Sequence, residues 1–575
     1  MIDLRMEYPR PLLERKDWFC LNGQWEFEMD TAEVGKFKKY WERPSLNGEI
    51  TVPYCPESKL SGIGHTDFIG CCWYRKTFTL PESFAGKRTI LHFGAVDYIA
   101  TVWVNGCKVG SHKGGYTPFS FDITDRLTEG ENVLVVQAVD HEREGKQPAG
   151  KQSRDLYSAR CCYTRITGIW QTVWLEPVEK AHILSYRTYP NVSESQVTLQ
   201  VRVADALGEK LTVVASYEGA KMGEATARVM GDTVTVTVPL KEKHLWEIGK
   251  GRLYDLEFSL GEDIAKGYFG LREVGLNEKG MTLNGKVFFG RWVLDQGYYP
   301  DGLYTAPSDA ALKKDIEDSV ALGFNGARMH QKIFEPRYMY WADRMGYTLW
   351  GEHANWGLNV HEIDCLANFL PEWLEMIERD FSHPSIIGWT PFNETWDHKV
   401  TGTHQCDAVL ELTYRATKAA DPTRPCIDSS GSIHVLTDIH DEHDYQQDPE
   451  LFAEYFNELG EGVLKCGLFR RADYEKRAKY MGGPLYVSEY GGIKWSGDSA
   501  GWGYGKSVES EEEFIERYRK LTDVLLDHEN IMGFCYTQLY DIEQEQNGLL
   551  TYEREFKFDP KVFCEINTRK AKIEE

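Results

Sequence analysis

The chain has no stretch of 18 uninterrupted apolar residues, so nothing in it reads as a membrane-spanning helix. Its first ten residues carry acids, bases and a proline where a secretory signal would have an apolar core, and a cytoplasmic protein is therefore the expectation. Positive charge is scarce. The 65 lysines and arginines face 89 acidic residues, a formal charge of -24 whose field repels nucleic acid and anionic membranes and excludes both as partners. Zinc-knuckle and redox spacings are missing as well. Thirteen cysteines make an odd count, and the adjacent pairs Cys71-Cys72 and Cys161-Cys162 lack the gap either chemistry needs, so reduced core thiols are expected.

What is present is length and aromatic content. The 575 residues exceed one hydrophobic core several times over, which predicts three or more domains. Aromatic residues make up 13%, with 17 tryptophans, enough for a core and for rings that stack on sugars. Residues 21–27, 72–78, 89–93, 99–104, 132–138 and 168–176 read as strands without intervening helices. Asn105-Gly106 marks a hairpin, and together they predict an all-β sandwich of roughly 175 residues. The polar stretch 141–163 is long for a connection; it either reaches toward a site in another domain or is a plain surface loop.

Alternation resumes over residues 182–272 and predicts an immunoglobulin-like sandwich acting as a spacer. After 272 the period changes. Helices are predicted over 309–322, 336–345, 371–380, 409–420 and 474–479, and one after the Ser510-x-x-Glu513 capping box; strands are predicted near 288, 325, 348, 387, 426, 438, 486 and 534. Eight strand-helix units in about 300 residues predict a (β/α)8 TIM barrel. The domains are thus a jelly-roll-like β-sandwich over 1–178, an immunoglobulin-like β-sandwich over 179–272 and a TIM barrel over 273–575.

Barrel chemistry sits at the carboxyl ends of the strands, and Asp295, His330, Glu352, Asn393, Glu394, His440, His443, Tyr445 and Glu489 fall at or near predicted ends. Glu394 follows the short apolar run 386–389 and is expected to be buried without a partner, which raises a carboxyl pKa and suits a proton donor. Glu489 ends the strand at 485–488, and Gly491-Gly492 turns the chain away. Two carboxylates facing each other across one mouth separate in pKa, one protonated and one ionised, as glycosidic hydrolysis requires.

At these residues the chain resembles glycoside hydrolase family 2. The resemblance rests on Trp25, on the run from Gly168 to Glu176, on Phe269-Gly270-Leu271-Arg272, on Asn393-Glu394 and on Ser488-Glu489-Tyr490-Gly491-Gly492. It implies that Glu394 is the acid/base and Glu489 the nucleophile of a retaining exo-β-glycosidase working by double displacement without a cofactor, and that a homo-oligomer is compatible with the family. On physical grounds Asn393 is expected to bond a hydroxyl beside the anomeric centre, Tyr445 to orient Glu489, and Arg328 to be its fixed cation. Asp295, His330, Glu352, His440 and His443 are expected to clasp the other hydroxyls, and Trp389, Trp495 or Tyr536 to supply an aromatic floor. For each of these secondary residues a satisfied core hydrogen bond is the alternative.

The family's glucuronidases carry Asn-x-Lys-Gly after the last strand to hold the substrate carboxylate. Here the stretch is Glu545-Gln546-Asn547-Gly548, whose glutamate is expected to repel a carboxylate, as is the overall charge. A neutral oligosaccharide or glycoside is therefore expected, galactosides first, with mannosides, arabinosides and galactofuranosides as competitors and a glucuronide disfavoured. The long sandwich that follows the barrel in large β-galactosidases is missing. His434, Asp438, His440, Asp441, His443 and Asp444 suggest a metal cluster, but one loop of hydroxyl-binding groups explains them equally well, and no metal is expected. A non-catalytic carbohydrate-binding protein is the reading from a different class.

Overall fold

Alternation builds the first sandwich. Along Gly23–Met29, Trp25 and Phe27 turn inward while Gln24 faces solvent, and the strand joins a six-stranded antiparallel sheet with Gly48–Val52, Cys71–Thr79, Glu131–Val139, Ile99–Val104 and Cys107–Lys113. The hairpin at Asn105-Gly106 forms as predicted, pairing Val104 with Cys107. A second sheet of Phe19–Cys20, Val173–Val178, Arg88–Phe93 and Phe119–Asp122 covers the inner face, burying Leu91, Phe93 and Leu175 against Tyr74, Val102 and Val136. The strand predicted over 168–176 is instead two. Gly168–Ile169 pairs with Val96–Asp97, and the chain then crosses sheets because Trp170 leaves the sandwich: its indole donates to the Gly115 carbonyl at 2.7 Å, and its own carbonyl accepts from Thr305 of the barrel at 2.6 Å.

The second sandwich sets His182–Asn191, Gln196–Ala204 and Thr233–Pro239 against Lys210–Tyr217, Ala220–Arg228, Tyr254–Leu260 and Asp263–Phe269. Val234, Val236 and Val238 alternate with exposed threonines, and burying such side chains stabilises by about 1.5–3 kcal/mol each. Arg272, at the exit, donates to the carbonyls of Pro384 at 2.9 Å and Ile386 at 2.8 Å, so the spacer fixes the start of the fourth barrel strand.

The computed structural model describes residues 2–395, 404–431, 433–457, 477–496 and 501–575; the predicted helix over 474–479 begins outside them. The barrel strands are β1 (Gly290–Asp295), β2 (Gly326–Met329), β3 (Thr348–Glu352), β4 (Ile386–Thr390), β5 (Ser429–Ser430), β6 (His440–Asp444), β7 (Leu485–Gly491) and β8 (Ile531–Thr537). Seven pair in parallel in the order β4-β3-β2-β1-β8-β7-β6. β5, predicted near 426, is only two residues long; it is held to the β4 side by the bridge of Trp389 with Cys426 and by the parallel pairing of Phe392–Asn393 with Ser429–Ser430. Outside lie α1 (Asp309–Ala321), α2 (Pro336–Met345), α3 (Leu366–Asp380), α4 (Asp407–Ala420), α5 (Pro449–Phe456), α6 (Glu511–Leu526) and α7 (Pro560–Asn567). α3 starts five residues before the prediction, tolerating Pro371 inside it because Phe369 and Trp373 are held in the core.

The lumen is plugged below the mouth. Trp292, Trp350 and Tyr486 pack within 4.9–5.7 Å of one another, and Gly388 makes room for them, since a Cβ there would lie 2.2 Å from the Trp350 ring. The barrel is therefore a packed core with chemistry possible only at one end. Among the described residues no helix is long and apolar enough to cross a membrane.

Candidate active site

β4 ends at Thr390, where Pro391 removes a ladder donor. The next residues are clamped individually. Asn355, just past β3, donates from Nδ2 to the Asn393 carbonyl at 3.0 Å and accepts from the Asn393 N–H at 2.9 Å, while the Glu394 N–H donates to Ser430 of β5 at 2.9 Å. Trp356 adds its indole N–H to the same Asn393 carbonyl at 3.3 Å. These contacts hold Glu394 in a left-handed backbone, φ 50°, which for a side-chain-bearing residue costs on the order of 1–3 kcal/mol. Its carboxylate is 12% exposed and not partnerless, as the sequence led us to expect: Oε1 lies 2.7 Å from Nδ1 of His443.

Glu489 leaves β7 opposite His443 of β6, where the register slips between Glu442 and His443. Its Oε1 accepts from Arg328 Nη1 at 2.9 Å and its Oε2 from the Tyr445 hydroxyl. Arg328 is fully buried at the end of β2 and uses its planar fork three ways, donating also to Glu352 Oε2 at 2.7 Å and Asn393 Oδ1 at 2.6 Å. Burial pushes the Glu489 carboxyl up, but the charges of His443 and Arg328 more than offset it and bring the group down to about 2. For His443, burial favours the neutral ring, and Glu489 and Glu394 outweigh it, raising the imidazole above its ordinary value. An oxygen of Glu394, a ring nitrogen of His443 and an oxygen of Glu489 all lie within 4.8 Å of one another. Oxygens this close leave little room for a water between the two carboxylates, which suits direct attack on carbon.

Several predicted roles change. Asn393 Nδ2 is buried with no partner among the described residues. Tyr445 orients Glu489 as expected, stacked on Tyr504 with ring centroids 3.4 Å apart. Glu352 is a partner of Arg328 and of the Gln331 N–H at 2.9 Å, with no exposure, so it positions the cation and does not bind sugar. His330 lies beside Glu352 at 2.9 Å; burial, with Lys151 and Arg328, holds it well below its ordinary pKa and neutral. Asp295 is saturated by the hydroxyls of Tyr338 and Tyr540 and the Gly297 N–H. His440 begins β6, so it stands at the amino end, away from the mouth, packed on His434 and Tyr480. Tyr536 turns outward to Tyr518 of α6, Trp495 packs on Phe514 and Phe558, and Trp389 donates to Asp421; none is a floor.

The residues of the suspected metal cluster mostly take other partners, although His434 and Asp441 lie 3.2 Å apart. His434 bonds Asp428 at 2.7 Å, Asp438 serves Tyr414 and Lys418, and Asp441 accepts from Ser430 and Ser488.

The loop 141–163 does reach the barrel. The N–H groups of Ala149 and Gly150 both donate to the Trp356 carbonyl, at 2.8 and 3.0 Å, and Tyr163 donates to Glu545 Oε2 at 2.5 Å. Cys161 and Cys162, expected in a core, ride on this loop half-exposed. Lys151 and Asn355, unnoticed in the sequence, arrive at the mouth this way and from the loop after β3; a polar loop of unusual length was the only signal for the first. Glu545 also departs from expectation. Its Oε1 accepts from Asn547 at 3.0 Å, and burial, with Cys161 next, pushes it up to about 8, which favours the neutral acid.

The sugar binding domain of glycosyl hydrolases family 2 matches residues 65–175, and the domain described as glycosyl hydrolases family 2 matches 181–272. The chain is 26% identical over 470 residues to a β-glucuronidase of Canis lupus familiaris, covering 73% of this chain and 69% of that one. It is 27% identical over 419 residues to a β-galactosidase of Bacteroides ovatus, of which it covers 44%. Its fold is that of a β-glucuronidase from an uncultured Clostridium sp., with a TM-score of 0.78 at 21% identity, covering 98% of this chain and 99% of that one. With both accessory domains in order ahead of a TIM barrel, the chain belongs to glycoside hydrolase family 2 and is a glycoside hydrolase.

Proposed function

We propose that Glu489 is the nucleophile and Glu394 the acid/base in hydrolysis of terminal β-linked sugars. The observation that carries this is the approach of an oxygen of each carboxylate within 4.8 Å, one of the groups held ionised by His443 and Arg328. Glu489 attacks the anomeric carbon; the bond to the aglycone oxygen breaks, and that oxygen takes the proton held between Glu394 and His443. A water then gives its proton to Glu394 and attacks the same carbon, and Glu489 departs. Two displacements return the starting configuration.

For the sugar we rank β-glucuronides first and β-galactosides second. Similar curated proteins include five β-glucuronidases and two β-galactosidases, and the raised pKa of Glu545 weakens the objection to a uronide. Hydrolysis of a panel of nitrophenyl α- and β-glycosides, followed by NMR, tests both levels. The β-anomer is expected to appear first; an initial α-product from a β-glycoside sinks the double displacement. Tyr445→Phe is expected to lower kcat about 10–100-fold with KM little changed, since a hydrogen bond to a charged group is worth about 1.5–3 kcal/mol. An unaltered kcat would remove Tyr445 from the mechanism.

A further inference from the structure

Most charged groups of the mouth are held by direct contacts. Arg328 serves Glu352 and Glu489, His443 serves Glu394, and Glu545 rests between Tyr163 and Asn547. Lys151 is left over. Only 7% exposed, it places its ammonium 4.0 Å from the centroid of the Trp356 ring and makes no hydrogen bond or ion pair among the described residues. A mostly buried ammonium that makes no hydrogen bond or ion pair among the described residues is free to take an anion.

Its position is built. Gly150 has a left-handed backbone, φ +62°, and a Cβ there would meet the Gln331 carbonyl at 2.3 Å, so the loop lies directly on the residue after His330. Gly357 makes the same close approach to Ala149, at 2.6 Å. The Trp356 ring under the ammonium is itself bonded to the carbonyl of Asn393, the neighbour of Glu394. The Lys151 carbonyl accepts from the Tyr163 N–H at 2.7 Å, and Tyr163 in turn bonds Glu545, so Lys151 stands over the mouth between the loops after β3 and β8. Charge at that point is pre-oriented and needs no rearrangement on binding.

We propose that Lys151, delivered by the amino-terminal sandwich, is the specificity-determining cation for the carboxylate of a terminal hexuronic acid. The inference rests on the glycosidase reading and deepens it. A neutral sugar offers Lys151 a hydroxyl; a uronide offers an ion pair in a nearly dry site, and the difference between the two is discrimination.

The test compares the full-length chain with Lys151→Met and Lys151→Gln on 4-nitrophenyl β-D-glucuronide and β-D-galactopyranoside. For both variants kcat/KM on the glucuronide is expected to fall about 30–100-fold, with the galactoside changed less than about 3-fold. Equal losses on both substrates overturn the inference, as does a wild type that cleaves galactosides and leaves glucuronides untouched, although the glycosidase reading then survives. If the wild type cleaves no glycoside, that reading fails, and calorimetric binding of D-glucuronate and D-galactose decides the inference separately. Glucuronate binding that Lys151→Met abolishes supports it; absence of glucuronate binding to the wild type overturns it.

Discussion

Glu489→Ala is expected to lose turnover by about 10⁴-fold or more while the protein still folds, because the step it removes is bond formation to carbon and no neighbour replaces it. Tyr445 and Arg328 both aim at Glu489 oxygens, and neither can attack an anomeric centre. Azide separates this variant from Glu394→Ala. In Glu489→Ala the anion occupies the vacated face and yields an α-glycosyl azide from a β-glycoside. In Glu394→Ala it intercepts the glycosyl-enzyme and yields the β-azide. NMR of the two products checks the assignment, and exchanged anomers would reverse the roles given to the two residues.

Arg328→Met is expected to be the most damaging single change to the fold of the barrel. It leaves Glu352 wholly buried without its cation and strips one oxygen of Glu489, and breaking such pairs costs about 3–5 kcal/mol. The pH dependence has a definite sign. Glu489 lies at about 2 in the fold against an ordinary 4.5, so its contribution to stability is complete above pH 4.5 and is lost as pH falls toward 2. Without Arg328 its pKa rises, less of that stability exists to lose, and the acid limb of the pH-rate profile moves upward. Chemical denaturation at pH 7 and a kcat/KM profile from pH 3 to 8 check both effects; an unchanged midpoint and acid limb would contradict the role of Arg328. Glu352→Gln in the same chain should recover part of the stability, since it removes the stranded charge.

Much of this was legible in the residues, and the failures have physical causes. β4 and β7 are apolar runs ended by Pro391 and by Gly491-Gly492, so Glu394 and Glu489 announced their places. β6 is His440-Asp441-Glu442-His443-Asp444, a strand with no apolar pattern; its inward groups are satisfied by Ser430, Ser488 and Glu394, partners that periodicity cannot see. That misplaced His440 by the length of a strand. Tyr536 failed by parity: on β8, Cys535 and Thr537 face the lumen and Tyr536 the helices, a one-residue alternation that aromatic content does not reveal. Asp295 looked available because Tyr338 and Tyr540, 43 and 245 residues away, cap it only in the fold. α5 and α7 were missed although Asp448-Pro449 and Asp559-Pro560 are helix-start signals, an N-cap followed by proline.

The docking of Ala149 and Gly150 on Trp356 bears on how such an enzyme can be altered or divided. The wall of the mouth that carries Lys151 belongs to a different folding unit from the wall that carries Glu394 and Glu489. A barrel cut free of its sandwich would keep both carboxylates and lose the cation. Insertions or loop exchanges between residues 141 and 163, nowhere near the barrel in sequence, are accordingly a route to new sugar selectivity that leaves the bond-breaking groups untouched. Selectivity and reaction are inherited from separate modules, and the seam between them is where one can vary without the other.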